Sequence, residues 1–552
     1  MSITVPPGRG RRAVTSTHKP FRPTRTRTAR GGAVVELSEN SPPILFHHGE
    51  GFRLERLPAG TRVVYPPPPL AGVPDVDGVI QRALDHPLGS DPLSARLAAG
   101  MRLTIAFDDI SLPLPPMRLP DIRQRVIERV VETAVAAGVE DIHLICAQAL
   151  HRKLTGPELR RILGDRLFDA FWPHSLYNYD AEDPEGNVVL GHTPHGEAVE
   201  ISRRAAESDL LVYVNINLVA MDGGHKSVAV GLGTYNTMRA HHNVRTLLES
   251  RSYMDPENSA LHHSAKRQGR IVEDAIPIFH IETTLNNDMY AGPMRFLGRP
   301  EWEWTARDRA TFLGVQRALR AMPDGARRAV FQRQTAPYAV TGVTAGEVDA
   351  VHRRTLEAVH AQQSVPVSGQ ADILTMGVPY IGPYNVNSVL NPVLVMCLSL
   401  GYFFNLYQGR PLVREGGVLI MTHPVPRQFH PVHHPSYIPF YDEVLAESRD
   451  PAVIEERWEE HYAQDEWFRH LYRTSHAYHG VHPFYMWYWG AHALAHLGEV
   501  IVVGGDPATA RHLGFRPAQT MADALEMAAS TVGRSPSITH FHCPPVFYAT
   551  VS

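Results

Sequence analysis

Residues 103–147 read LTIAFDDISLPLPPMRLPDIRQRVIERVVETAVAAGVEDIHLICA, and this stretch decides the fold. Leu103 to Phe107 is a short apolar run that predicts a buried strand ending at Asp108-Asp109. Pro113, Pro115 and Pro116 prevent that strand from continuing. From Leu119 to Ala137 apolar residues recur at helical spacing, and Gly138 closes the helix. Asp141 to Ala147 is the next strand. Strand, helix, strand at this spacing implies parallel βαβ units.

The pattern continues outward. Thr155-Gly-Pro157 starts a helix ending near Leu163-Gly164, and Ser208 to Val214 is another strand. Pro194-His195-Gly196 reads as a hairpin turn. Thr234 predicts the N-cap of a helix carrying His241 and His242 about two turns in. A second α/β unit follows, with strands at Ala371 to Met376, Gly417 to Met421 and Val500 to Val503, and an apolar helix from Val386 to Leu400. The Arg-rich stretch from Trp304 to Ala361 reads as a helical link. The first residues hold Arg9, Arg11, Arg12, Lys19, Arg22, Arg25, Arg27 and Arg30 with no acid among them, which predicts a disordered basic tail. Arg11-Arg12 lacks the apolar region of a twin-arginine signal. The expected division is a basic tail at 1–33, an N-terminal α/β cofactor-binding domain at 34–300, a helical linker at 301–365 and a C-terminal α/β domain at 366–552. No internal repeat is found.

Composition narrows the function. A chain of 552 residues with 43% hydrophobic and 20% charged content is ordinary for a soluble globular protein. A net charge of −4 gives no reason to expect nucleic acid or an anionic membrane as partner. Cys146, Cys397 and Cys543 make no disulfide framework and no zinc module, and a reducing cytoplasm fits them best. The apolar run around Val393 to Phe404 is too short to span a bilayer. The 31 histidines, many in the last third, point to metal or proton chemistry or to a compositional bias.

Several segments carry reactive groups. Asp108-Asp109 stands at the carboxyl end of a strand, where ligands bind in open α/β sheets. It reads either as a carboxylate holding a substrate hydroxyl, a metal or a histidine, or as an Asx turn. His151 follows the next strand and reads as a general acid/base or as a loop histidine, with Arg152 able to clamp a carboxylate. Met221-Asp-Gly-Gly-His-Lys226 joins a glycine turn to one lysine, with His242 sixteen residues on. It lacks the spacing of a phosphate loop, yet can present amides and a lysine to an anion, or be a solvated turn. The cluster His430, His433 and His434 reads as loop packing.

Taken in order, these segments resemble the nickel-dependent lactate racemase family. Phe107-Asp-Asp-Ile-Ser-Leu-Pro113 is similar to its D-x-[ST]-R-P element. Leu144 to Arg152, with Leu154-Thr155 and Glu158-Leu159, is similar to its ALATGTHR-type strand and loop. Gly191-His-Thr-Pro-His-Gly-Glu-Ala-Val199 resembles its G-x-T-x-x-G-x-P-V hairpin, and Gly223-Gly-His-Lys226 with Gly231 its G-G-x-K-x-x-x-P-G segment. Ala371 to Leu374 and Glu415 to Ile420 resemble strands of its C-terminal domain.

The resemblance implies two α/β domains with a cofactor cleft between them. It implies a nickel-pincer nucleotide, made by cofactor-synthesis proteins, that is tethered by Lys226, approached by Gly223 and Gly224 and ligated by His242. It implies racemisation or epimerisation of a small 2-hydroxy acid through hydride abstraction and return, with His151 moving the hydroxyl proton and Asp109 as the acidic catalytic residue. Asp108 and Arg152 are the expected substrate contacts. The alternatives are a one-way hydride-transfer relative and a non-catalytic cofactor-binding protein. The chain departs from the pattern where a second histidine belongs, at Asn215-Ile-Asn-Leu-Val219, and has Leu112 in place of an arginine. The tyrosine-glutamine and lysine of the substrate helix are not evident near Tyr384 to Asn391. These departures weigh against lactate itself and against a symmetric two-base reaction, unless His225, His192 or a C-terminal histidine takes over.

Overall fold

The structure is a computed structural model that describes residues 25–27 and 33–552. Most of the expected basic tail lies outside the described residues. Its part at Arg25–Arg27 pairs antiparallel with Ala33–Glu36, so that short piece is extended rather than disordered.

Two large sheets organise the chain. The first has six strands in the order Val340–Gly346, Ile278–Leu285, Leu210–Asn217, Arg102–Asp108, Asp141–Ala147, Leu176–Asn178. Every neighbouring pair is parallel except the first. Leu103 to Asp108 is buried along its whole length, as a parallel strand covered on both faces must be. The helix over it runs Ile122–Ala136 and buries Ile122, Val126, Ile127, Val130 and Ala134, one stripe at helical spacing. Each such side chain contributes roughly 1.5–3 kcal/mol when fully buried. The helix starts later than Leu119, because Asp121 caps it by accepting the Arg123 amide at 2.9 Å.

The second sheet has ten strands. Its spine runs Arg62–Val64, Ile538–Phe541, Ala371–Pro379, Val413–Thr422, Glu499–Val503, Arg516–Ala518, all parallel. The chain's first strands belong here. Ala33–Glu36 pairs with Arg62–Val64, and the hairpin Ile44–Gly49 with Phe52–Glu55 adds to the Ala371–Pro379 strand. Residues 34–64 thus belong to the C-terminal sheet, which Arg62–Val64 and Ile44–Gly49 join directly, rather than to an N-terminal domain that starts at 34. The stretch 301–365 also differs from a purely helical link. It holds helices Ala306–Ala321, Asp324–Gln332 and Val348–Gln363, and between them Val340–Gly346, which closes the first sheet. Asn187–His192 and Ala198–Ser202 form the expected hairpin around Pro194-His195-Gly196.

The two halves are joined by their loops. The Tyr472 hydroxyl donates to the Ala149 carbonyl at 2.7 Å, the His479 amide to the Leu150 carbonyl at 3.1 Å, and Lys153 Nζ to the Arg473 carbonyl at 2.8 Å. The segment after strand Asp141–Ala147, which carries His151, is thus clamped by the C-terminal half. Among the described residues, no helix is long and apolar enough to cross a membrane.

Candidate active site

The parallel strands of the first sheet end together, and their loops enclose a cavity of about 100 Å³ lined by Asp108, Asp109, His151, Asn215, Gly223 and Lys226, among others. Four widely spaced segments of the sequence meet here because adjacent parallel strands deliver their loops to one edge.

Asp109 and His151 form its reactive pair. His151 Nδ1 stands 2.8 Å from Asp109 Oδ2. The other carboxylate oxygen accepts the Ser111 amide at 2.8 Å and the Ser111 hydroxyl at 2.5 Å. Both readings of Asp109 therefore hold, as an Asx turn and as a histidine's partner. Burial pushes its carboxyl up, but His151 and Ser111 outweigh burial and hold it below the usual carboxylate range. A charged Asp109 accepts a hydrogen bond from Nδ1–H of a neutral ring, which leaves the lone pair on Nε2. The loop bearing His151 is strained. Ala149 has φ +46, a left-handed conformation that a side chain disfavours by about 1–2 kcal/mol. Its amide donates to the Gly231 carbonyl at 3.0 Å and its carbonyl accepts Tyr472, so contacts from both halves over-determine it.

Asp108 faces the opposite way. Asn215 Nδ2 donates to both its oxygens at 2.9 and 3.0 Å, and the Ile216 amide donates at 2.7 Å. Burial dominates and pushes its carboxyl up to about 7. Its acceptors are spent on the Leu210–Asn217 strand, so it braces the cavity wall although it was expected to contact substrate. Asn215 in turn accepts the Ser227 hydroxyl, and Asn217 donates to the Asp222 carbonyl at 2.8 Å. Where a second histidine would stand, the chain has tied asparagines.

Arg152 is not brought to the cavity. Its guanidinium is buried and bonds Glu158 at 2.6 and 2.9 Å and the Val386 carbonyl at 3.3 Å. The fork expected to clamp a substrate carboxylate clamps a helix-capping glutamate instead.

The glycine segment is built on a buried carboxylate. Glu282 accepts the Gly224 amide at 2.7 Å. A Cβ on Gly223 would lie 2.3 Å from the same oxygen, and one on Gly224 2.8 Å from the His352 ring, both at positive φ, so only glycine fits. His280 and His352 hold Glu282 far below the usual range against its burial. Lys226 Nζ donates to the Met221 carbonyl at 2.9 Å. Burial pulls its ammonium down, opposed by Asp222 and Asp108. Gly223 and Lys226 also border a second cavity of about 580 Å³, which Lys266 and Arg353 line.

His242 departs from its expected place in a helix. Thr234 stands at the N-cap, its hydroxyl donating to Glu200 at 2.7 Å, but the helix runs only Tyr235–Met238, and Asn243 caps a new one by accepting the Thr246 amide at 2.8 Å. His242 sits in the turn between, buried, with Nδ1 lacking a partner. Its ring lies 5.2 Å from Tyr485 and 5.5 Å from Trp489. Among the described residues, no three or more metal-binding side chains converge. Metal held here would need a group that brings its own donors, with His242 adding one imidazole nitrogen.

The C-terminal half packs rings against His151. His482 lies 5.5 Å and Tyr384 5.1 Å, centroid to centroid, from His151. His482 Nδ1 is 2.6 Å from the Tyr437 hydroxyl, and its buried Nε2 has no partner. The other two histidines considered as substitutes lie elsewhere: His225 bonds Glu273 at 2.8 Å and His192 is exposed on the hairpin. His434 and His433 pack in the loop as expected, His434 Nε2 lying 3.0 Å from the Tyr384 carbonyl. Sequence reasoning missed Glu282, Asn215 and Tyr384 as parts of this site. A lone carboxylate inside the run Ile278–Leu285 was the one available signal for Glu282.

Comparison with known proteins gives the following similarities. Residues 50–255 match the lactate racemase N-terminal domain. Lactate racemase of Lactiplantibacillus plantarum is 28% identical over 167 residues, 30% of this chain and 37% of that one. Lactate racemase of Thermoanaerobacterium thermosaccharolyticum is 25% identical over 175 residues, 30% of this chain and 38% of that one. The matched segment thus spans little more than a third of either relative. In fold, the lactate racemase apoprotein from Thermoanaerobacterium thermosaccharolyticum superposes with a TM-score of 0.59 at 16% identity, covering 92% of this chain and 99% of that one. A protein from Thermotoga maritima gives 0.50 at 12% identity, covering 88% and 100%.

Proposed function

From the chain's place as a divergent member of the lactate racemase family, we propose that it is a racemase or epimerase of a 2-hydroxy acid or related hydroxy compound. The observation that carries the proposal is the His151–Asp109 pair, 2.8 Å apart, sharing one small cavity with a buried lysine.

The residues fit a nickel-pincer nucleotide in two respects. Lys226 offers a buried amine of lowered basicity, the form that bonds covalently. His242 offers an imidazole nitrogen with no other partner. Lys226 would tether the group and His242 would ligate its nickel, with Gly223 and Gly224 leaving the backbone open to it. When bound, such a cofactor supplies a hydride acceptor and donor beside the carbinol carbon.

The protein's own part is proton transfer and positioning. His151 Nε2 takes the hydroxyl proton as hydride leaves the same carbon, since a secondary alcohol is a poor hydride donor until that proton is removed. Asp109 keeps the ring in the competent tautomer and stabilises the imidazolium. The clamp from Tyr472 and His479 fixes the loop. Return of the proton by His151 regenerates the hydroxyl. Expressed with the cofactor-synthesis proteins, the chain should carry nickel and a mass increment on the peptide containing Lys226. A nickel-free, unmodified Lys226 under those conditions refutes the reading.

Asn215 and Asn217 favour a second reading, a one-way hydride transfer, because amides that cannot serve as bases at neutral pH stand where a second histidine would act. His482 argues the other way, since a second imidazole packs edge-on against His151, 5.5 Å between ring centroids. A chirality assay in deuterated solvent decides: racemised hydroxy acid excludes the one-way reading, and a product oxidised without racemisation excludes the racemase.

A further inference from the structure

We propose that the C-terminal half carries a second ligand site, for an aliphatic monocarboxylate, at the carboxyl ends of its parallel strands. A cavity of about 830 Å³ lies there, large enough for a small organic molecule. It shares no lining residue with the cavity beside His151. Strands Ile44–Gly49, Ala371–Pro379 and Val413–Thr422 all run into it, through His48 and Gly49, Tyr380, and His423. This is the edge at which open α/β sheets bind ligands, and the chemistry proposed above makes no use of it.

Among the described residues, two neutral hydrogen-bond donors of this cavity's lining residues have no partner. The Tyr380 hydroxyl is buried and unpartnered, a state that ordinarily destabilises by about 1–3 kcal/mol unless a partner is supplied. His423 Nδ1 accepts the Val425 amide at 2.9 Å, so its neutral ring carries the proton on Nε2. A Cβ on Gly49 would lie 3.1 Å from that nitrogen and 3.0 Å from Pro424, so the glycine, at φ +56, keeps this corner open.

Charge selects the ligand. Four arginines line the cavity against three carboxylates. Arg53 pairs with Glu55 at 2.6 Å, Arg328 with Glu50 at 2.8 Å and Arg327 with Asp324 at 2.8 Å. Among the described residues, Arg320 is left as the excess cation. One unpaired guanidinium and two neutral donors match a single negative charge better than a phosphate dianion. Leu54, Leu313, Leu319, Val389 and Leu390 supply apolar wall for an alkyl body.

The test is calorimetric titration of the full-length protein with acetate and with hexanoate. Each methylene buried against the leucines should tighten binding about fourfold, so hexanoate should bind saturably and at least about tenfold more tightly than acetate. Tyr380→Phe, which keeps the ring on Phe331 at 4.7 Å, and Arg320→Gln should each weaken hexanoate roughly tenfold. His151→Ala should leave it unchanged. The proposal is overturned by the absence of saturable binding, by equal affinity for the two acids, by indifference to both substitutions, or by loss of binding in His151→Ala, which would move the acid to the catalytic cavity.

Discussion

Replacing Arg152 with methionine separates two roles for this residue, a substrate clamp and a brace for the loop that carries His151. Both side chains of the Arg152–Glu158 pair are buried, at 3% and 12% exposure. Although burial alone would raise it, the Glu158 carboxyl is held at about 2 against an ordinary 4.5 by Arg152, the Thr155 amide and Asn387. At 1.36 kcal/mol per pH unit, that difference is about 3 kcal/mol of stability, in line with the loss seen when one partner of a buried pair is removed. Because the folded value lies below the unfolded one, the contribution is full above pH 4.5 and disappears as pH falls toward 2. At pH 3.5 about 2 kcal/mol remains. Arg152→Met should therefore lower the melting temperature at pH 7 by about 3 °C if the chain unfolds as one unit, and by more if one half unfolds alone. The gap from the unsubstituted protein should narrow as melts are repeated toward pH 3. The reasoning fails if Arg152→Met melts normally at pH 7 while its KM for a hydroxy acid rises steeply, because the guanidinium would then be working on substrate.

Three further outcomes follow from the geometry. Asp109→Asn should keep the fold but lower turnover by about 10²–10⁴, since asparagine no longer fixes the His151 tautomer; a pH–rate profile that is unaltered would contradict this. Gly224→Ala should destabilise by about 2–4 kcal/mol, from a Cβ driven against His352 at positive φ, and a normal thermal melt would show that the Glu282 cradle is not needed. Ala149→Gly should leave stability level or raise it by up to about 1 kcal/mol, because relief of the left-handed strain exceeds the added chain entropy, while slowing turnover as the His151 loop loosens; a loss of more than that amount on melting would mean that no strain is stored there.

The fold was legible wherever burial and periodicity agree. Leu103 to Phe107 and Asp141 to Ala147 could be read as strands because a doubly covered strand must be apolar throughout. The helix between them showed its buried stripe. The start of the chain misled because Ala33–Glu36 and Arg62–Val64 are short, and Arg62–Val64, on which Ala33–Glu36 pairs, finds its other partner at Ile538–Phe541, nearly 500 residues away, a pairing that no local pattern encodes. At the site, the lysine and the His151 loop were marked by type and order. Arg152 was misjudged because a guanidinium beside a strand end looks the same whether its carboxylate comes from a substrate or from Glu158, six positions on in a helix cap. His482 was hidden for another reason. It is one histidine among many in an aromatic segment, and only the packing of Tyr472 and His479 on the 148–151 loop brings it to face His151.

The adjacent aspartates show why residue type alone underdetermines chemistry here. Asp108 and Asp109 are one peptide apart, yet their acidities move in opposite directions. Successive side chains at a strand end point to opposite sides. Asp108 turns toward the neighbouring strand, where its partners are neutral amides from Asn215 and Ile216, and burial wins. Asp109 turns toward the loop, where Ser111 donates twice and His151 Nδ1 lies 2.8 Å away, and burial loses. Environments that drive two carboxyls apart assign them different duties. Asp108, pushed up to about 7, holds the wall through the amides of Asn215 and Ile216, whereas Asp109, held below the usual range, faces His151. The site therefore depends less on having a pair of aspartates than on the single backbone step that sends them to different neighbours.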